Sequence, residues 1–371
     1  MYRQMKPFDP RPLPLDGLDL GSFLRLAGEA NRTLARYDGL LAGLINPQVL
    51  LSPLTTKEAE RSSRIEGTQA ELGDVYQYEA GVQLGESLAY DSQEIINYRT
   101  TLSVAHDSLK GRPLSLSLIK GMHAILLESV RGQDKSPGEF RREQSWIGAR
   151  GCTIDEATYV PPGPLRVLDH LENWEAYLTH DEVDPIIQAA IVHAQFEIIH
   201  PFIDGNGRLG RLMVPLFLFK SGVLAHPMFY LSAYLEANRD EYYARLDAIS
   251  KNDDWDGWIR FFMQAVVEQA RNNSDKVRAI NDLYEQMKER IQAATHSQYT
   301  ITLLDSIFSR PVFRSTALLE TTGIQRSTLM ALLRHLKESN IIRTLFEGSG
   351  RTPAVLVFPD IINIVEERTV F

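Results

Sequence analysis

Leucine, alanine and isoleucine recur at helical spacing from Leu20 to Leu44, which places apolar side chains along one face. Residues 1 to about 20 carry repeated prolines and predict an extended arm. From there to about residue 295 nearly every segment predicts helix. Thr55 with Glu58, and Thr68 with Glu71, have the spacing of capping boxes, so two helices are expected to meet at Gly67. Helical patterns continue over Asp91 to His106 and Ser115 to Leu127, then give way to turn formers from Arg131 to Gly138. Between Gln144 and Tyr159, Trp, Ile, Thr and Tyr stand among glycines, which predicts a short irregular hairpin ended by Val160, Pro161, Pro162, Gly163 and Pro164. Further helices are expected over Leu165 to Leu178, Pro185 to Ile199, Leu209 to Ser221, Arg239 to Ser250 and Trp255 to Ala294.

The pattern changes again over residues 298 to 371. A helix around Leu318 to Glu320, a glycine turn at Thr321 to Ile324 and a helix over Ser327 to Lys337 predict a helix-turn-helix. Arg343 to Phe346 and Ala354 to Phe358 then flank Gly348-Ser-Gly350 as a hairpin would. Together these resemble a winged-helix domain. The fold class expected is mainly α, with one small β-hairpin in a helical core and this C-terminal unit.

With 371 residues, 44% hydrophobic and 23% charged, the chain has ordinary globular composition and room for two or three domains. Its single cysteine, Cys152, forms no intrachain disulfide, so the cytoplasm is the expected compartment. The first ten residues lack the apolar core of a signal peptide, and the most apolar stretch, Pro185 to Ile199, is interrupted by Gln188, His193, Gln195 and Glu197. No membrane span is expected. A net charge of -9 argues against a general nucleic-acid binder.

The chemistry concentrates after that apolar helix. Pro201 stops it and leaves His200 at its C-terminal end, where a histidine open to a turn titrates near neutrality and can act as a general base. Asp204-Gly205-Asn206-Gly207 then opens into a helix expected near Arg208. Two glycines allow a turn whose successive N–H groups form an anion cradle at a helix N-terminus. Arg208 and Arg211, three apart, project from nearly the same face of the first turn. Cations oppose the helix dipole there, an arrangement that suits a bound polyanion, and Asp204 offers an oxygen for Mg²⁺ beside phosphates. The alternative is a glycine turn capping two core helices, with both arginines solvated.

These residues resemble the motif of the Fic family (filamentation induced by cyclic AMP), His-x-Phe-x-Asp/Glu-Gly-Asn-Gly-Arg-x-x-Arg, and this chain meets every specified position. The resemblance implies transfer of AMP from ATP to a Ser, Thr or Tyr hydroxyl of a target protein. It implies that His200 takes the hydroxyl proton, Phe202 anchors the loop and Asp204 holds Mg²⁺. Gly205, Asn206, Gly207 and Arg208 would bind the phosphates and Arg211 the γ-phosphate, with Leu209 and Gly210 in the same ATP-binding segment. Val160, Pro161, Pro162 and Gly163 resemble the end of the family's flap, which offers a strand edge to the target. Tyr242 and Tyr243 resemble the aromatic pair flanking adenine; Ser250 stands where a few members have an asparagine. Ser62 to Gly67 resembles the inhibitory signature Ser/Thr-x-x-x-Glu-Gly/Asn. Glu66 at a helix C-terminus is disfavoured by the dipole and should seek a cation, with Arg211 the expected partner and Ser62 one turn away able to join them.

The division expected is an N-terminal helical region over 1–95 carrying the inhibitory helix at about 55–67, a catalytic core over 96–275, a helical linker over 276–297 and a winged-helix domain over 298–371. The leading reading is a self-inhibited protein adenylyltransferase using ATP and Mg²⁺. Removal of AMP by the same site, self-modification and a homodimer stay open. The alternative from another class is a DNA-binding regulator reading through Arg326, Thr328 and Arg334, although near-balanced charge in the C-terminal unit favours protein contact over DNA.

Overall fold

Helical periodicity is realised through most of the chain. The computed structural model describes residues 6–130, 132–149, 151–350 and 352–371. The first five residues of the expected arm, Arg131 at the head of the turn segment, Arg150 in the hairpin and Arg351 lie outside the described residues. Two units form. One comprises Met1–Asp38, Arg61–Gly67 and Asn97–Arg271; the other comprises Gly39–Glu60, Thr68–Ile96 and Asn272–Phe371.

The first unit is built around the helix Pro185–Ile199, buried at nearly every position, as expected of a helix apolar all round. Asp184 caps it, its Oδ1 accepting from the N–H groups of Ile186 at 2.8 Å and Ile187 at 3.1 Å, and Pro185 occupies the first turn, where a missing N–H does no harm. Trp174, on the helix Val167–Tyr177, donates its indole N–H to Val192 O, and Trp258 donates to Ala190 O. Both rings are therefore buried with their polar atoms satisfied. Burying each Ile or Phe of the central helix stabilises the unit by roughly 1.5–3 kcal/mol. The helix Asn206–Lys220 follows after the turn that carries the motif. The arm runs extended, with Phe8 N–H donating to Val160 O at 2.9 Å and Asn173 pairing with both backbone groups of Leu13 at 2.8 Å.

In the second unit, strands Val312–Arg314 and Arg343–Phe346 flank Val355–Val357 in an antiparallel sheet. The central strand is buried at all three positions. Helices Ser315–Thr322 and Arg326–Glu338 are joined through Gly323, whose φ of +64° suits glycine. Leu329, Leu332, Leu333 and Leu336 bury one face of the second helix. Among the described residues, no helix is long and apolar enough to cross a membrane.

Three local expectations are corrected. The helix before Gly67 is Ser52–Ile65, so Thr55 lies inside it and not at its start, and its hydroxyl donates back to Leu51 O. Thr68 is not a cap either, because its hydroxyl donates to Glu94. The capping box of the next helix, Leu72–Glu79, is instead formed by Glu71 and Asp74. Among the described residues of 144–159, the expected hairpin reduces to an antiparallel bridge between Ile147 and Tyr159, with a 3₁₀ turn over Ile154–Glu156.

Candidate active site

The turn between the two central helices is fixed from beneath. His200 terminates Pro185–Ile199 in the left-handed region, φ +49° and ψ +61°, a conformation disfavoured for a side chain with a Cβ and held here by its surroundings. Arg141, 3% exposed, supplies the hold. Its Nε donates to His200 O at 2.8 Å and its Nη2 to Pro162 O at 2.6 Å and Ile199 O at 3.3 Å. Burial pushes the Arg141 pKa down to about 10, which leaves it charged at neutral pH. One guanidinium therefore joins the end of the Val160–Gly163 segment to the histidine backbone.

The loop is closed by Asn206 and His123. Buried Asn206 accepts the Phe202 N–H at 2.9 Å and donates to Phe202 O at 2.8 Å, so its amide replaces a backbone partner on both sides. His123, on Leu116–Leu126, accepts Gly138 N–H at Nδ1 and donates from Nε2 to Asp204 O. Its ring stacks on Phe202 with centroids 3.7 Å apart. Burial drives the His123 pKa to about 4, in keeping with a neutral ring that accepts at one nitrogen and donates at the other. Gly205 carries the sharp turn at φ +79°.

The next helix starts at Asn206, two residues earlier than expected, and its first bonded N–H is that of Leu209, to Gly205 O. The first turn, including Asn206 and Gly207, thus presents N–H groups without intrahelical acceptors. Asp204 Oδ1 accepts from Gly205 N–H and, at 3.3 Å, from Arg208 Nη2. Its side chain remains one-third exposed. Among the described residues no cluster of three or more metal-ligating side chains occurs. A single carboxylate beside an anion cradle still fits Mg²⁺, which takes one or two carboxylates and completes its shell with substrate phosphates and water.

Both arginines are buried, Arg208 at 1% and Arg211 at 2% exposure, so they are not solvated surface charges. Arg211 meets the upstream signature. Its Nη2 donates to Glu66 Oε1 at 2.7 Å and to Ser62 O at 2.9 Å, and its Nε donates to Ser62 Oγ at 2.9 Å. Burial alone would raise the Glu66 pKa; the charge and hydrogen bond of Arg211 outweigh it, and the carboxyl is held below its usual range. Glu66 also fills the space over Gly207, where a Cβ would collide with Oε1.

His200 departs from the expectation of near-neutral titration. Half-buried, it is pushed down to a pKa of about 4 by desolvation, and its Nδ1 lies 3.3 Å from Glu197 O. That contact holds the proton on Nδ1 and leaves Nε2 as the basic nitrogen. Tyr242 is fully buried with its hydroxyl 3.0 Å from His193 Nε2, whereas Tyr243 keeps 41% of its surface exposed beneath the Arg239 guanidinium. Leu209 is buried in the core, and Gly210 faces Glu197 and His193. Arg141, His123 and Glu197 were not singled out from the sequence, since their partners lie far away along the chain or are backbone atoms without a residue signature.

Comparisons with known proteins show the family of the chain. The descriptions "Fic/DOC family N-terminal" and "Fic/DOC family" match residues 24–107 and 113–218. "Protein adenylyltransferase Fic" of Drosophila willistoni is 31% identical over 173 residues, covering 46% of this chain and 31% of that protein. "Protein adenylyltransferase fic-1" of Caenorhabditis elegans is 28% identical over 196 residues, 51% of this chain and 35% of that protein. The chain spans about a third of the length of these curated relatives. Among solved structures, a Fic family protein from Desulfovibrio desulfuricans aligns over 95% of this chain and 98% of its own, with TM-score 0.60 and 20% identity. Fic-1 from C. elegans aligns over 68% and 71%, with TM-score 0.54 and 22% identity. These last two are likenesses of fold.

Proposed function

We propose that this chain, which belongs to the Fic/DOC family, transfers AMP from ATP to a hydroxyl of a target protein and is restrained in cis by Glu66. The observation that carries the reading is the convergence of a basic histidine, an anion cradle and a buried arginine on one turn, with that arginine already bound to a carboxylate.

In this reading the first-turn N–H groups and Arg208 hold the phosphate chain, and Arg211 holds the γ-phosphate, leaving the α-phosphate in line with the incoming hydroxyl. His200 Nε2 takes the proton as the hydroxyl oxygen bonds to the α-phosphorus. The bond from that phosphorus to the bridging oxygen breaks, and pyrophosphate leaves. Nδ1–H, directed at Glu197 O, fixes the tautomer that makes this possible. Asp204 would hold Mg²⁺, which neutralises phosphate charge when bound. Tyr243 offers an exposed ring to the adenine while Tyr242 backs it from the core. Arg141 keeps the flap end in register with His200.

Glu66 occupies the guanidinium that the γ-phosphate needs, and Ser62 accepts from its Nε and Nη2. ATP then cannot seat its α-phosphate for attack. The C-terminal unit, read as a winged-helix domain, selects protein partners, and a reducing compartment such as the cytoplasm suits the lone free thiol of Cys152. The test is transfer from ATP labelled at the α- or the γ-phosphate, with Mg²⁺, to proteins of a cell extract. Label retained on protein only from the α-position is expected. Label from the γ-position alone would make the enzyme a phosphotransferase and overturn the reading.

A further inference from the structure

Gly207 and Gly210 stand one turn apart on the helix Asn206–Lys220, and each is kept clear for a carboxyl group. A Cβ on Gly207 would collide with Glu66 Oε1, and one on Gly210 would collide with Glu197 Oε1. Arg211 interacts with both carboxyls but hydrogen-bonds only Glu66. Glu197 Oε1 is buried and accepts no hydrogen bond.

The groups around Glu197 are few. Arg211 comes from its own helix, Glu66 from the end of Ser52–Ile65, His193 from the same helix as Glu197, and Tyr242 from Arg239–Asn252. Burial drives His193 down to a pKa of about 4 and Tyr242 well above 10, so both are neutral. Arg211 and Glu66 are then the charges that decide the state of Glu197. Burial raises its pKa to about 8, with Arg211 opposing and Glu66 reinforcing, so it carries a proton at neutral pH while Glu66 is in place.

We infer that Glu197 is a positioning residue that becomes the counter-ion of Arg211 when Glu66 leaves, and gives up that charge when a triphosphate arrives. The inference rests on the reading of Arg211 as the γ-phosphate site. Departure of Glu66 removes the repulsion that keeps Glu197 protonated and leaves a buried guanidinium without a carboxylate, a strongly unfavourable state. Both changes release the Glu197 proton to solvent. Glu197 then holds Arg211 where Glu66 had held it. A γ-phosphate on Arg211 restores the negative charge, and a proton returns from solvent to the Glu197 carboxylate. ATP binding is thereby coupled to proton uptake, and ATP affinity falls as pH rises above the pKa of Glu197 in the empty, released site.

Calorimetric titration of Glu66→Gly and Glu66→Gly/Glu197→Gln with ATP and Mg²⁺, in buffers of different ionisation enthalpy from pH 7.0 to 8.5, reads that coupling directly. Protons taken up by ATP and Mg²⁺ themselves are common to both proteins and cancel. Glu66→Gly is expected to take up additional protons, with affinity falling by up to about tenfold per pH unit relative to the double variant. Glutamine has the shape of the protonated side chain, so Glu197→Gln alone should melt as the wild type does. In the Glu66→Gly background, Glu197→Gln should remove the pH dependence of KM for ATP. Equal proton counts in the two variants would overturn the inference and leave AMP transfer intact. Failure of Glu66→Gly to bind ATP at all would instead remove the phosphate-site reading, and this inference with it.

Discussion

Asn206 shows how much of the turn depends on single side chains. Its amide is the partner of both backbone groups of Phe202, so Asn206→Ala would leave a buried N–H and C=O unpaired at about 1–3 kcal/mol each. A fall in Tm of roughly 5 °C or more is expected, read by calorimetry; an unchanged Tm would mean that water or a neighbour replaces the amide. His200 gives a second prediction. Its pKa near 4 keeps it unprotonated above pH 5.5, so kcat of Glu66→Gly at saturating ATP should be level from pH 5.5 to 7.5. A midpoint near 6.5 would show a solvated histidine. Both residues stand in the motif singled out from the sequence, but the burial that shifts His200 was not legible there. Burial depends on tertiary packing, and the charge of Arg141, which also lowers the pKa, comes from 59 residues away.

At the scale of elements, periodicity located the helices and missed how several begin. Pro185–Ile199 was legible to its ends because Asp184, Pro185 and Pro201 mark them chemically. Thr55 and Thr68 carry the same type of signal, yet Thr55 lies within a helix and bonds back to Leu51 O, while a tertiary contact with Glu94 takes the Thr68 hydroxyl. Arg141 ties the segment Val160–Gly163, proposed above as the flap end, to the His200 backbone, so Arg141→Met should lower AMP transfer by Glu66→Gly more than tenfold while ATP affinity by calorimetry changes less than threefold. An equal loss of both would assign Arg141 to nucleotide binding. The helix end at Glu66 has its own pH signature. Its pKa is lowered, so the contact with Arg211 contributes fully above the ordinary carboxylate value of about 4.5 and is lost only as pH falls through the lowered one. The ratio of Glu66→Gly to wild-type transfer should therefore hold steady from pH 6 to 7; a ratio collapsing toward one in that window would place the restraint on another group.

In the whole molecule, the two units are interleaved along the chain, and the helix Ser52–Ile65 belongs to the second unit through Glu60 and to the first from Arg61. No local pattern announces such a division, because it is decided by contacts between residues far apart in sequence. The strand Val312–Arg314 escaped notice for the same reason: three residues become a strand only by pairing with Val355–Val357. The Glu66–Arg211 contact spans 145 positions yet was legible, because Ser62 to Gly67 resembles the family's inhibitory signature and a carboxylate at a helix C-terminus seeks a cation.

The most direct test of the restraint is AMP transfer from α-labelled ATP by purified wild type, Glu66→Gly and Glu66→Gly/His200→Ala at matched concentration. The expected result is at least tenfold more label with Glu66→Gly than with wild type, and none above background with the double variant. Equal labelling by wild type and Glu66→Gly would contradict restraint through Arg211, and labelling that survives loss of His200 would contradict its role as the base.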